Sequence, residues 1–256
     1  MNMSKVFISC TASPKYKQAA PLPALRNRSG KARWLSRQLR LAAALLCVAH
    51  AAAVHAGPRQ AVADFSGQTP SSDARHLADW IADSRDNSGL AFVIVDKKRA
   101  TAYVFDAHAR LRAAAAVLLG SALGDDSAPG IGDKPIAAIR PEERTTPAGR
   151  FVGERGRNLR EDVVWVDYDA AVSMHRVLTS NPAERRLERL ATPSIGDNRI
   201  SSGCINLPVS FYENHVRPIF ASAKAVVYVL PDTKSMQQVF GVYGYGAGLQ
   251  GLHSGR

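Results

Sequence analysis

Ala91-Phe92-Val93-Ile94-Val95-Asp96-Lys97-Lys98-Arg99-Ala100-Thr101-Ala102-Tyr103-Val104-Phe105 is the stretch that decides the fold class. Two runs rich in β-branched and aromatic residues flank a short charged segment, which reads as two strands joined by a turn. Lys97, Lys98 and Arg99 are accordingly expected to form a solvated tip. A second turn around Asp106 to Arg110 and a further run through Val117 to Gly120 extend the pair into a meander.

Upstream, Ser72-Asp73 offers an N-cap ahead of Ala74, Leu77, Ala78 and Ile81. Their i, i+3, i+4, i+7 spacing predicts a packing helix over about 73–84. Downstream, residues 121–144 are too rich in Gly, Pro and Asp for a regular element, and a loop of that length in a compact domain is often functional. Thr145 to Phe151 reads as a turn entering a strand, and 163–167 and 170–175 as two more strands, with His175 near the end of the second. Asn181-Pro182-Ala183-Glu184 is an Asx cap with Pro at N1, introducing a short exposed helix or lid over the Arg/Glu segment. Pro208 opens a helix whose expected buried stripe is Val209, Tyr212, Val216 and Phe220, and 225–229 is a final strand.

The net charge of +11 invites a nucleic-acid reading until it is located. Residues 1–56 carry nine Lys/Arg and no acidic residue, leaving 24 basic against 22 acidic side chains in the rest, so that reading loses its support. Lys31, Arg33, Arg37 and Arg40 precede an apolar run from Leu41 to Val54, the arrangement of an export signal, with cleavage expected near Ala56. An uncleaved anchor is the lesser alternative, because the run falls short of the ~20 residues a membrane-spanning helix wants. Lipidation of Cys47 is disfavoured by Leu46 before it. The expected organisation is an N-terminal extension with signal peptide over 1–56, a linker and short helix over 57–89, the main domain over 90–232, and a Gly-rich tail over 233–256. The expected location is the periplasm.

Removal of the leader takes Cys10 and Cys47 with it and leaves Cys204 alone. An unpaired cysteine in an exported protein is buried and inert, an intermolecular link, or a reactive thiol. Its setting, Ser201-Ser202-Gly203-Cys204-Ile205-Asn206-Leu207-Pro208, places it after a Gly turn and just ahead of a helix, where backbone N–H groups favour a thiolate and can hold an oxyanion.

Four pieces in order resemble the L,D-transpeptidase catalytic domain (YkuD-type) of bacterial cell-wall enzymes. The opening hairpin resembles Val93 to Asp96 with Tyr103 to Phe105; the Thr-Pro-x-Gly-x-Phe element matches Thr146 to Phe151; the histidine-bearing strand matches Val172 to His175. The Ser/Thr-His-Gly-Cys-hydrophobic-Arg/Asn signature matches Ser201 to Asn206, with Ser202 in place of the signature histidine. The resemblance implies a mainly β, antiparallel β-sandwich-like catalytic fold with a few short helices. It implies that Cys204 is the nucleophile and His175 the general base, with Gly203 and the Cys204 amide bordering the oxyanion site and Asn206 in the position of the family's Arg or Asn. The substrate would be a peptidoglycan stem tetrapeptide, cleaved after meso-diaminopimelate with loss of D-alanine, and no metal or organic cofactor is required.

A thiol is only a few per cent ionised at neutral pH, and an imidazole within hydrogen-bond reach can take its proton, so the chemistry agrees with that pairing. Arg199 and Arg176 flank the proposed dyad and are candidates to receive substrate carboxylates, with Ser201 and Asn206 as further binding candidates. Two departures stand out. Ser202 can hydrogen-bond but carries no positive charge. The interval from His175 to Cys204 is 29 residues, where family members usually have under twenty, and the excess falls at 181–190. A solvated helix without contact to substrate is as consistent with that segment as a lid. Three functions follow: an acyltransferase, a carboxypeptidase-type hydrolase of the same stems, or a catalytically inactive wall-binding module associated with the cell envelope. Oligomeric state is left open.

Overall fold

The computed structural model describes residues 60–158, 161–221 and 224–242. The expected leader, signal peptide and most of the Gly-rich tail lie outside them.

Helix α1, Ser72–Ser84, is capped by Ser71, whose hydroxyl accepts from the Ala74 amide at 3.1 Å. The cap lies one residue ahead of the expected one, and the same hydroxyl donates to Asp96 at 2.5 Å, tying the helix start to the first strand. Ala74, Leu77, Ala78 and Ile81 are buried, as the spacing requires.

Strands β1 (Phe92–Asp96), β2 (Thr101–Phe105) and β3 (Leu111–Ala116) form the meander. The short β4, Leu119–Gly120, follows. After the 121–148 loop come β5 (Gly149–Asn158), β6 (Glu161–Asp167), β7 (Val172–Arg176), helix α2 (Arg186–Ala191), β8 (Arg199–Ser201) and β9 (Ile205–Leu207). A helix over 209–219 with a π-helical middle, Tyr212–Val216, leads to β10 (Ala225–Val229) and then helix α4 (Met236–Phe240), the 209–219 helix being α3. Phe211, Tyr212, Val216 and Phe220 form the buried stripe of α3, while Val209, expected among them, is half exposed.

The principal sheet has the order β3-β2-β1-β10-β5-β6-β7-β9. It is mixed rather than antiparallel, because β10 pairs parallel with β1 and β9 pairs parallel with β7. Parallel neighbours need long crossovers, and here the crossovers are the bulk of the chain and the 177–204 excursion. A second, two-stranded sheet pairs β4 with β8 in parallel. The principal sheet curls until Leu118, just past β3, exchanges backbone hydrogen bonds of 2.9 Å with Asn206 of β9.

Alternation along the strands explains the two cores. Val93, Val95, Ala102, Val104, Val227 and Val229 face the interior of the curl with Val164, Met174, Ile205, Leu207 and α3. Phe92, Ile94, Tyr103, Phe105, Val226 and Tyr228 face the other way, onto α1, Phe65 and Phe240. Strands buried on both faces read as continuous apolar runs, which is what residues 91–95 and 225–229 are.

The charged tip is the main correction. Lys97 is fully buried: its ammonium donates to Gly124 O (2.6 Å), Asp125 Oδ1 (2.8 Å) and Thr146 O (2.8 Å) and pairs with Asp232 at 3.4 Å. Asp125 in turn accepts from the Asp232, Thr233 and Lys234 amides and the Thr233 hydroxyl. Burial pushes that carboxyl up, but Lys97 and the four donors outweigh it and hold it far below the usual range. Lys98 remains exposed beside Asp73, as a turn residue should. The 121–148 loop forms only three 3₁₀ turns and is pinned here and at Glu143, whose carboxylate accepts from Lys134 and Arg140. Removing the ammonium while leaving Asp125 and Asp232 buried is expected to cost ~3–5 kcal/mol. Lys97→Met should therefore lower the denaturant midpoint strongly, and a midpoint equal to wild type would contradict the strut.

Candidate active site

The site is built by the parallel pairing of β7 and β9, in which Met174 lies opposite Ile205 and His175 opposite Asn206. Met174, Ile205 and Leu207 point into the core, so alternation turns Ser173, His175 and Asn206 to the outer face. Cys204, one residue ahead of β9, joins them there. Its sulfur lies 3.7 Å from Ser173 Oγ and 3.7 Å from the Ala171 carbonyl.

His175 Nδ1 sits 2.7 Å from the Arg176 carbonyl. A carbonyl only accepts, so Nδ1 carries hydrogen and in the neutral ring Nε2 is the free base. Burial pushes the Cys204 thiol up, yet a hydrogen bond to the His175 imidazole, the charge of that ring and the Ser173 hydroxyl and amide together bring it below the ordinary thiol value.

The turn holding the thiol is braced from below. Thr146, fully buried, accepts the Gly120 amide at 2.9 Å and donates to the Gly203 carbonyl at 2.8 Å. Because the peptide is planar and trans, fixing that carbonyl aims the Cys204 N–H the opposite way. Ser201 accepts from the Gly203 amide (3.1 Å) and donates to the Cys204 carbonyl (2.6 Å), so the Gly203 N–H is committed within the turn. Gly203 itself adopts φ 128°, and a Cβ there would meet the Thr145 carbonyl oxygen at 2.8 Å. Ser202 lies half-buried between these braced residues.

Neither arginine is free for a substrate carboxylate. Arg199 makes a two-pronged pair with Asp232 (2.7 and 3.1 Å) and donates to the Lys97 carbonyl at 3.0 Å. Arg176 pairs with Asp162 (2.8 Å) and Glu213 and stacks over the Tyr212 ring, 4.5 Å from its centroid. Burial, with the Asp162 charge adding to it, pushes that tyrosine up to about 12. The guanidinium character was legible in the sequence; the carboxylates that claim it come from distant β6, α3 and the 230s.

Sequence reasoning missed two residues. Ser173 carries a signal, since it stands two before His175 and shares its face of the strand. Arg186 carries none, because only the fold brings the 181–191 segment over β9, where the guanidinium donates to Asn206 Oδ1 at 2.6 Å. Among the described residues no cluster of His, Cys, Asp or Glu suits a metal ion, and no helix is long and apolar enough to cross a membrane.

Neither a protein-family model nor a curated protein sequence matches the chain. Among solved structures it is similar to the helical cell shape determining protein Pgp2 from Campylobacter jejuni, at 16% identity and TM-score 0.38, over 57% of this chain and 49% of that one. It is also similar to the catalytic domain of the E. faecium L,D-transpeptidase, at 14% identity and TM-score 0.34, over 55% and 96%. A third is an L,D-transpeptidase from Mycobacterium tuberculosis H37Rv, at 13% identity and TM-score 0.33, over 55% and 57%. The matched part is thus about half the length of the Pgp2 structure. Function is argued from the side chains of the site, since a shared outline hosts many chemistries.

Two outcomes are expected of this geometry. Alkylation of Cys204 followed against pH should show a midpoint below that of a free thiol, and His175→Ala should move it upward; a midpoint unmoved by that change would separate the ring from the sulfur. Gly203→Ala forces a strained φ and a backbone clash, and should cost at least ~1–2 kcal/mol in chemical denaturation.

Proposed function

We propose that this chain is a periplasmic cysteine acyltransferase of the L,D-transpeptidase type, acting on peptidoglycan stem peptides through a Cys204 thioester. The observation that carries the proposal is the outer-face grouping of Cys204, Ser173 and His175, with the thiol drawn down by the imidazole against the effect of burial.

The thiol passes its proton to His175 Nε2, and the sulfur attacks the carbonyl of the diaminopimelate residue. The oxyanion forms beside the Cys204 N–H, whose direction Thr146 sets. The imidazolium returns its proton to the departing D-alanine amine, and a thioester remains. An acceptor amine then attacks, giving up its proton to His175 and releasing the thiol. Water in the same place yields the carboxypeptidase outcome. Binding of the stem's carboxylates is not assigned to Arg199 or Arg176, because protein carboxylates already occupy both.

The resemblance of the Ser201 to Asn206 signature supports the substrate class, and the basic, apolar leader supports export. Ser202 makes a mixed case: the inactive-module reading draws on it, whereas the retained thiol and base favour an enzyme. Incubation of the full chain with tetrapeptide-containing muropeptides, followed by mass analysis, is expected to show loss of terminal D-alanine in the wild type and none in Cys204→Ala. Cross-linked product marks transfer, and D-alanine loss alone marks hydrolysis. Identical products from wild type and variant would overturn the proposal.

A further inference from the structure

The 181–191 segment is largely exposed, yet side-chain hydrogen bonds anchor it. Arg189 donates from Nε to the Glu184 carbonyl at 2.8 Å and from Nη1 to the Asp197 carbonyl at 3.0 Å, and the Thr192 hydroxyl donates to the Asp197 carboxylate at 3.0 Å. These contacts lash α2 to the turn that precedes β8. Arg186, mostly buried, pairs with Glu184 and reaches across to Asn206. Asn206 is fully buried, and its other amide atom, Nδ2, donates to the Cys204 carbonyl at 3.2 Å.

An asparagine amide has one accepting and one donating end, and only one of its two flips satisfies both partners. With the Arg186 guanidinium on Oδ1, a group that only donates, Nδ2 must face the Cys204 carbonyl. In the opposite flip two donors would meet at Arg186 and two acceptors at Cys204. A charge-assisted hydrogen bond therefore selects the orientation of a neutral one beside the nucleophile.

We propose that Arg186 is a positioning residue of the Cys204 site, acting through Asn206, so that docking of the 181–191 segment and ordering of the nucleophile's backbone are one event. The inference rests on Cys204 being the nucleophile. It differs from a substrate-contact role, because the guanidinium is already shared between Glu184 and Asn206, and it differs from the solvated-helix reading, because the segment is coupled to the Cys204 backbone carbonyl by two consecutive hydrogen bonds.

The test uses the full chain with Arg186→Ala and Arg186→Lys, and two readouts. The first is the kcat and KM for D-alanine release from tetrapeptide muropeptides; the second is hydrogen exchange of the backbone over 201–207, which needs no turnover. Loss of a charge-assisted bond predicts a fall of about tenfold in kcat with KM nearly unchanged in Arg186→Ala, and exchange over 201–207 faster by about tenfold. Arg186→Lys, which keeps a cationic donor, should recover most of both. A raised KM at unchanged kcat would overturn the inference in favour of substrate contact, and unchanged exchange over 201–207 would overturn it outright. If the alanine variant does not fold, Arg186→Gln is read the same way by exchange. A wild type without turnover but with exchange that responds to Arg186 would sink the proposed reaction and keep the coupling; turnover lost in Cys204→Ala but indifferent to Arg186 would do the reverse.

Discussion

A single buried ammonium organises the ground on which the site stands. Lys97 Nζ has three hydrogens to donate and finds three oxygens, on Gly124, Asp125 and Thr146. Those partners belong to the long loop and to the approach to β5, and Asp125 reaches on to the chain after β10. One charge thus closes both ends of the long loop and the chain after β10 onto the β1–β2 turn. An unpaired ammonium in that position would be far costlier than any contact it makes, so the segments are held together by the need to satisfy it.

The consequence reaches the thiol in two steps. The Thr146 carbonyl is fixed by Lys97, and the Thr146 hydroxyl fixes Gly203, whose carbonyl direction sets that of the following amide. From the other side Arg199, bound to Asp232 and to the Lys97 carbonyl, holds the start of β8. A glycine at φ 128° is what lets the turn come close enough to the Thr145 backbone for these bonds to form. Cys204, half-buried, thus sits on a braced turn, next to an imidazole whose own tautomer is set by a neighbouring carbonyl.

Charge pairing accounts for which arginines remain structural. Arg176 joins β7 to β6 and α3 through Asp162 and Glu213, and Arg199 joins β8 to the chain after β10. Both flank site residues in sequence, and both have their planar forks filled by carboxylates of the protein. Arg186 is different in kind, since one of its bonds goes to a neutral amide that itself touches the Cys204 backbone.

Strand runs, the amphipathic spacing of residues 74–81, the cap signals and the leader's charge asymmetry were legible in the chain because each is a local pattern with a fixed physical period. The pairing of Cys204 with His175 was legible only through motif order, as the chain itself places them 29 residues apart. Lys97 was misread because a Lys-Lys-Arg turn looks solvated until Asp125 and Asp232, from remote segments, arrive to neutralise it. Parallel insertion of β10 beside β1, the curl that brings Leu118 to Asn206, and the descent of Arg186 onto the site are likewise long-range outcomes. The sequence by itself determined which residues become strands and which thiol and imidazole are at hand. The tertiary structure alone decided which charges are spent on each other and which face of β7 and β9 carries Ser173, His175 and Asn206, because pairing partners and strand register depend on contacts that no local pattern encodes.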